Sequence, residues 1–267
     1  MAARFWVPFP ARTYPRTRVE RLVVPAVAFA VAIAAWYALS LVLPPLLLPS
    51  PFDVAVRVVR QAASGLAWDY LLPTIIPAVL GVAIAIVASL TLGILSAHSR
   101  VLAAIFEPFV ALSQTVPLVA LAPLLVLWLG YGAVPIAVLC AIVAFFPMVT
   151  TTIVGFRRLD MRPVEAAMLD GAGSIQRLVH IELPMAAPAI LAGMRAGSAL
   201  GMTGAIVGEF VMGGTGLGTL LTLSRQASDT TGVFTVIFWI SAAAMVLYLL
   251  FAAAEQAASN RLQGEGQ

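Results

Sequence analysis

Six long apolar stretches alternate with short polar segments along the chain, and this alternation is the main structural signal in the sequence. A helix that crosses the apolar core of a bilayer needs about 20 mostly apolar residues, and each stretch reaches that length. The third is the least regular, because prolines and one glutamate interrupt it. The sequence therefore predicts an all-α integral membrane protein with about six transmembrane helices. The stretches cover residues 22–43, 73–97, 103–129, 133–156, 185–212 and 232–254.

The segment between the first two stretches, residues 44–72, is more polar and contains several charged residues. Within it, Val54, Val58 and Gln61 recur at helical spacing. We therefore expect a short amphipathic helix there, outside the transmembrane core. The domain organisation that follows is a transmembrane core over residues 73–254, preceded by one separate helix and this loop.

The first stretch follows a polar tail, residues 1–21, that carries five arginines. A cleaved signal peptide is the alternative interpretation. Its apolar region usually spans about 7–15 residues, which is shorter than residues 22–43. We therefore favour a retained membrane helix.

Composition excludes several kinds of chemistry. Hydrophobic residues make up 61% of the chain and charged residues only 10%. All fifteen basic residues are arginine, so the P-loop lysine that contacts nucleotide phosphates is missing and ATP hydrolysis by this chain is not expected. One cysteine, Cys140, and two histidines, His98 and His180, offer no disulfide framework or metal centre. The net charge of +3 reflects loop arginines and does not indicate nucleic-acid binding.

The loop arginines also predict orientation, because cytoplasmic loops of membrane proteins are enriched in Lys and Arg. With the N-terminus inside, six spans place residues 157–184 and the tail 255–267 in the cytoplasm. Eleven arginines then lie inside and three outside, with Arg195 within a span. We expect a multi-pass protein of the cell (inner or plasma) membrane with both termini cytoplasmic.

The cytoplasmic segment contains the stretch EAAMLDGAGSIQRLVHIELP, which carries Glu165, Asp170, Arg177, His180 and Glu182 within twenty residues. Its pattern predicts a helix that ends at Gly171 and Gly173, then a second helix that Ser174 caps and Pro184 ends. The residues alone leave two interpretations open. The segment is either an amphipathic loop resting on lipid headgroups or a docking site for another protein.

Glu165-Ala166-Ala167, Gly171 and the later Ile181-x-Leu183-Pro184 resemble the EAA loop of ABC importer permeases. The resemblance implies that this loop is a coupling helix that docks into a groove on a cytoplasmic ATPase. Asp170 lies where that family often has a basic residue, so we expect it to adapt the contact to a different partner surface. The expected ATPase-coupling residues are Glu165, Ala166, Ala167, Asp170, Gly171, Ile181, Leu183 and Pro184.

The likeness covers residues 22–254. LLPSPFDV, QTVPLVALAPLLVLWLGYG and the Gly216–Gly218 segment resemble nitrate/sulfonate/taurine-type permeases, and QTVP and GAIVGEF are similar to members that handle thiamine precursors or riboflavin. The resemblance implies a type I ABC importer permease fold. It also implies a second permease copy, expected to form a homodimer, with two ATPase subunits and an extracytoplasmic binding protein. ATP would be bound by the partner, and this chain would need no cofactor.

Gln114, Thr115 and Pro117 are candidates for the substrate path. Proline frees backbone carbonyls, and membranes tolerate this where a cavity or a neighbour satisfies them. A kinked packing helix is the equally open alternative.

Two charged residues fall in the fifth stretch, Arg195 and Glu209. At 1.5 Å per residue they lie about 21 Å apart, too far for direct pairing on one helix. We expect Arg195 to brace the helix near the coupling loop. Glu209 is a further candidate for the substrate path, although a carboxylate at the water interface is the simpler interpretation. The glycine-rich segment at Gly213–Gly218 lacks the nucleotide-binding spacing and is expected to be a flexible external loop.

Two other functions need consideration. An ion-gradient-driven secondary transporter would need intramembrane carboxylates near the midplane and no docking loop, the reverse of this sequence. A membrane-embedded enzyme would need a catalytic cluster at membrane depth, and the sequence suggests none. The favoured function is the permease subunit of an ATP-driven importer.

Overall fold

The computed structural model describes residues 18–113 and 118–264, and within these ranges the chain is helical, with no strand. A 3₁₀ turn, Leu118–Leu121, precedes α5, and a π-helical turn, Leu178–Glu182, joins α8 to α9. The α-helices are α1 (Arg18–Val42), α2 (Pro51–Ala63), α3 (Leu66–His98), α4 (Arg100–Ser113), α5 (Ala122–Leu129), α6 (Ala133–Arg157), α7 (Met161–Leu169), α8 (Ser174–Arg177), α9 (Leu183–Met212), α10 (Leu217–Gln226) and α11 (Thr230–Gly264).

Five helical segments among the described residues are long and apolar enough to cross a membrane. The third predicted stretch differs from the expectation, because it is divided between α4 and α5. These helices have 14 and 8 residues, so neither reaches spanning length alone. Pro123 lies in the first turn of α5, where a missing N–H costs no helical hydrogen bond. The five segments are Val23–Val42, Leu66–His98, Ala133–Arg157, Ser174–Met212 and Thr230–Asn260.

Helices α3, α6 and α9 form the centre of the bundle, and α11 packs against α9. A row of glycines on α9 allows the close approach of α6. A Cβ atom added at Gly197 would lie 2.6 Å from Cε of Met148, and one at Gly204 would lie 3.2 Å from Cα of Cys140. Small residues let helix backbones approach closely where apolar burial gives little drive for association in a bilayer. The row consists of Gly193, Gly197, Gly201, Gly204 and Gly208.

The two ends of the bundle differ in what they carry. Helices α3 and α6 end, and α9 begins, at the end that holds α7 and α8, which we call the loop end. Helices α2 and α10 lie at the opposite end, where α11 begins. The two ends therefore present different surfaces to any partners.

The short helix predicted between the first two spans is α2. Ser50 caps it, with its hydroxyl accepting a hydrogen bond from the Asp53 N–H at 3.1 Å. Val54 and Gln61 are buried against the bundle, and the Gln61 side chain accepts a hydrogen bond from Trp239 Nε1 at 3.0 Å. This helix is thus part of the folded unit.

Candidate functional site

Helix α7 ends in a Schellman motif that explains the first glycine of the loop. The Ala172 N–H donates to the Ala167 carbonyl at 2.9 Å, and the Gly171 N–H donates to the Met168 carbonyl at 3.1 Å. Gly171 has φ +82°, a left-handed conformation that side chains disfavour. The predicted glycine turn after the first loop helix is therefore confirmed.

The second loop helix differs from the prediction at both of its ends. Gly173, not Ser174, occupies the N-cap of α8, and Ser174 is its first helical residue. Pro184 does not end the helix, because the backbone continues through the π turn into α9, where the Leu183 N–H donates to the Leu178 carbonyl. Proline lacks an N–H and therefore removes one i→i−4 backbone hydrogen bond. Directly before Pro184, the backbone hydrogen bond runs from residue i to residue i−5 instead.

The surface formed by α7, Gly171 and α8, which we call the α7–α8 surface, is strongly exposed and partly apolar. Val164 is 3% exposed and anchors α7 to the bundle, whereas Leu169 is 89% and Ile175 78% exposed. Exposed apolar patches with polar neighbours mark protein or membrane contacts. Of the predicted coupling residues, Ala167, Ile181 and Leu183 are half-buried, and the exposed ones are Glu165, Ala166, Asp170, Gly171 and Pro184.

His98, at the end of α3, contacts Glu182 in the π turn, with Nε2 and Oε2 2.6 Å apart. Its other ring nitrogen lies 2.9 Å from the Ile94 carbonyl oxygen. The two residues are 84 positions apart along the chain, so sequence spacing gives no sign of this contact. The contact links α3 to the start of α9.

A cleft of about 440 Å³ lies beside this contact, between the α3–α4 turn and α8. Arg177 lines it, and its buried Nε has no hydrogen-bond partner among the described residues. The cleft also borders Ile175, which is part of the α7–α8 surface.

Arg195 has two partners on α11. Its Nη1 lies 2.9 Å from Oε2 of Glu255, and its guanidinium carbon lies 5.2 Å from the ring centre of Tyr248. The ion pair and the cation–π contact both place a complementary group beside the guanidinium. They join α9 to α11, and the predicted bracing role of Arg195 stays a prediction with named partners.

Glu209 lies in the interior at the opposite end and is 2% exposed. The Thr74 hydroxyl donates to Glu209 Oε1 at 2.6 Å, and the Leu217 N–H donates to the same hydroxyl oxygen at 2.7 Å. The Gly218 N–H donates to Glu209 Oε2. The Glu209 network, which comprises these two side chains and two N–H groups, thus satisfies the first donors of α10.

The glycine-rich segment before α10 is shaped to fit this carboxylate. A Cβ at Gly216 would lie 2.1 Å from Glu209 Oε1, and one at Gly218 would lie 2.9 Å from Oε2. The expectation of a flexible loop was wrong for Gly216–Gly218, because these residues start α10 against Glu209. The expectation of a carboxylate at the water interface was also wrong, because Glu209 is buried. The start of α10 supplies the hydrogen-bond donors that make this burial tolerable.

Three predicted path residues, Gln114, Thr115 and Pro117, lie outside the described residues, and their role stays a prediction. Within the described ranges, His, Cys, Asp and Glu side chains form no group suited to hold a metal ion.

Comparison with known proteins identifies the fold and the family. Residues 89–262 match the family described as "Binding-protein-dependent transport system inner membrane component". With 16% identity and a TM-score of 0.64, the structure resembles a chain of the MetNI methionine ABC transporter in an inward-facing conformation, over 74% of this chain and 98% of that one. The predicted type I importer permease fold is therefore confirmed.

Curated relatives carry transport names. The chain is 36% identical over 207 residues to the riboflavin transport system permease protein RibX of Chloroflexus aurantiacus, covering 78% of this chain and 77% of that protein. It is 32% identical over 198 residues to the formylaminopyrimidine transport permease protein ThiX of Halalkalibacterium halodurans, covering 74% and 78%. It is 26% identical over 228 residues to the taurine transport system permease protein TauC of Escherichia coli, covering 83% and 82%.

These names match both predicted groups, the sulfonate/taurine-type and the riboflavin/thiamine-precursor-like permeases. They describe transport permeases and not enzymes, in agreement with the prediction from composition. The chain is a multi-pass membrane protein that belongs to the binding-protein-dependent transport system inner membrane component family, the permeases of ABC importers.

Proposed function

We propose that this chain forms half of the translocation path of an ATP-driven importer and couples to a separate ATPase through the α7–α8 surface. The observation that carries the proposal is the exposure of this surface at the loop end, with Leu169 and Ile175 open to solvent. The Schellman motif at Gly171 ends α7 in a defined turn directly before α8. A projection with exposed apolar side chains is suited to a groove on a protein partner.

The route from this surface into the membrane is continuous. The chain remains helical from Ser174 to Met212, so a displacement of α8 passes into α9 without an intervening loop. The contact between His98 and Glu182 extends the displacement to α3. The ion pair between Arg195 and Glu255 extends it to α11.

In the proposed cycle, ATP binding in the partner closes the ATPase dimer and draws the two α7–α8 surfaces together. The path then opens at the opposite end, where a binding protein delivers a small solute. A second copy of this chain, as a homodimer, supplies the other half of the path. All nucleotide contacts belong to the ATPase, so this chain carries no cofactor.

The arginine bias supports placing the loop end and both termini in the cytoplasm of a cell whose inner or plasma membrane holds the protein. Gln114, Thr115 and Pro117 remain the proposed path residues. Glu209 is better suited to holding α10, because its carboxylate is buried and bonded. The geometry favours no particular solute among those that name the relatives.

A secondary transporter is the alternative function, and the described residues do not favour it. It would need a carboxylate that is open to the transported ion. Glu209 is instead buried in its network, and Glu255 pairs with Arg195.

Purification of the tagged chain from its native host, with identification of its partners by mass spectrometry, tests the proposal. We expect an ATPase and an extracytoplasmic binding protein in the complex, and the ligand of that binding protein identifies the solute. A chain that purifies alone and moves solute into liposomes without ATP would support the secondary transporter.

A further inference from the structure

One side of helix α2 packs on the bundle, and its opposite side is apolar and exposed. Val54 and Gln61 face the bundle and are buried. On the other side of the helix, Phe52, Val56 and Val59 recur at a spacing of three and four residues and form one stripe. These side chains are 72%, 40% and 66% exposed. An amphipathic helix packed on a soluble protein would present polar residues there.

The charged residues of α2 lie between the exposed apolar stripe and the side that faces the bundle. Asp53 and Arg60 are exposed, and at 3.6 residues per turn each lies about a quarter turn from the apolar stripe. Arg57, further round towards the bundle, makes a bidentate ion pair with Asp229, with Nη1 and Oδ1 2.7 Å apart. This pair ties α2 to the start of α11 and fixes which way its apolar stripe points.

Both neighbours of α2 along the chain are membrane-spanning helices with exposed apolar surfaces. Helix α1 is mostly exposed, and its Trp36 Nε1 donates to the Pro49 carbonyl at 3.0 Å, directly before α2. After α2, Trp68 in the first turn of α3 is 56% exposed. Tryptophan is enriched at the membrane–water boundary, so α2 begins and ends at that depth.

The size of the stripe argues against a protein partner. A stable protein interface buries about 800 Å² on each side, far more than three side chains on one helix provide. The same three side chains next to an exposed arginine are typical of a helix that lies in the plane of a membrane surface.

We propose that α2 lies along the membrane–water boundary at the opposite end of the bundle. Phe52, Val56 and Val59 enter the acyl-chain region of the lipids, while Asp53 and Arg60 face the headgroups and water. The helix thereby sets the depth at which α11 enters the membrane, through the ion pair of Arg57 with Asp229. This inference does not depend on the coupling role of the α7–α8 surface.

Spin-label accessibility in the full chain, reconstituted in lipid nanodiscs, tests this placement. Single nitroxide labels are placed on Val56→Cys, Val59→Cys, Asp53→Cys and Arg60→Cys variants. Val87→Cys on α3, where the native side chain is 66% exposed, provides the lipid reference. Cys140, the one native cysteine, is buried and remains in place, and the unsubstituted chain reports any background labelling.

We expect labels at positions 56 and 59 to collide with oxygen as readily as the label at position 87. Their ratio of oxygen to water-soluble nickel-chelate accessibility should exceed that at positions 53 and 60 several-fold. High nickel accessibility all round the helix would place α2 in water and overturn the proposal. Shielding of positions 56 and 59 from both reagents would also overturn it, and spin–spin broadening would then identify a second copy as the cover.

Discussion

Glu209 and Thr74 share a hydrogen bond of 2.6 Å that joins α9 to α3 across 135 residues of sequence. Both side chains also accept the first N–H groups of α10. A buried carboxylate at this depth is tolerated only with such donors. The arrangement makes the position of α10 depend on two side chains from different spans.

Replacing Glu209 by alanine should therefore destabilise the protein. The variant leaves the buried Gly218 N–H without its acceptor, at a cost of about 1–3 kcal/mol. The Thr74 hydroxyl keeps the Tyr70 carbonyl as an acceptor. Thermal unfolding in detergent measures the loss. Glu165→Ala, at an exposed position, is the matched control and should leave the unfolding temperature unchanged. Equal stability of the two variants would contradict the network.

Gly216→Ala should disrupt the start of α10, because the new Cβ would lie 2.1 Å from Glu209 Oε1 and 2.4 Å from Thr74 Oγ1. Hydrogen exchange in α10 should rise in this variant. Gly173→Ala is the control, because no heavy atom lies within 4 Å of the added carbon and its φ is −67°. A normal α10 in Gly216→Ala would show that the carboxylate does not fill this space.

Gly171→Ala should weaken the loop through the backbone alone. No neighbouring atom lies within 4 Å, but φ +82° costs an L-residue about 1–2 kcal/mol. Gly171→Asn should be milder, since asparagine adopts this conformation more readily. Limited proteolysis of the α7–α8 surface should rank the variants as alanine, asparagine and glycine, in order of decreasing cleavage. An inverted ranking would contradict the Schellman motif.

Acid should weaken the attachment of α2. Burial works to raise the pKa of Asp229, but hydrogen bonds from Arg57 and from the Gly232 N–H outweigh it and hold the pKa below its usual value. A carboxylate with a lowered folded-state pKa stabilises the fold above its unfolded pKa of about 3.9, and this stabilisation is lost as pH falls through the folded value. The unfolding temperature should therefore fall less between pH 6 and pH 3 in Asp229→Asn than in the unsubstituted chain. Parallel pH profiles would rule out this contribution.

Local patterns predicted local structure well. The spacing of Val54, Val58 and Gln61 predicted α2, and Gly171 predicted the turn after α7, since each depends on neighbours in sequence. The division of the third stretch into α4 and α5 was less accessible, because its prolines were compatible with either a kink or a break. The π turn before Pro184 had no sequence signal that we could identify.

The side-chain contacts at both ends of the bundle required the structure. His98 meets Glu182 only because α3 ends beside the start of α9. Glu209 and Thr74 come from different spans, and hydropathy does not specify how spans pack. One sequence signal could have suggested the Glu209 network. Glu209 lies within an apolar stretch, nine residues before Gly218 in a glycine-rich segment that could start a helix.

Solute uptake per ATP hydrolysed tests the proposal that the α7–α8 surface couples this permease to an ATPase. The measurement uses proteoliposomes that contain the complex isolated from the native host, supplied with its binding protein. Glu165→Arg should insert normally but lose ATP-dependent uptake. The control is Asp69→Arg, the same charge reversal at an exposed position at the opposite end, and it should retain ATP-dependent uptake. Uptake and ATP hydrolysis in Glu165→Arg equal to those of the unsubstituted chain would contradict coupling through the α7–α8 surface.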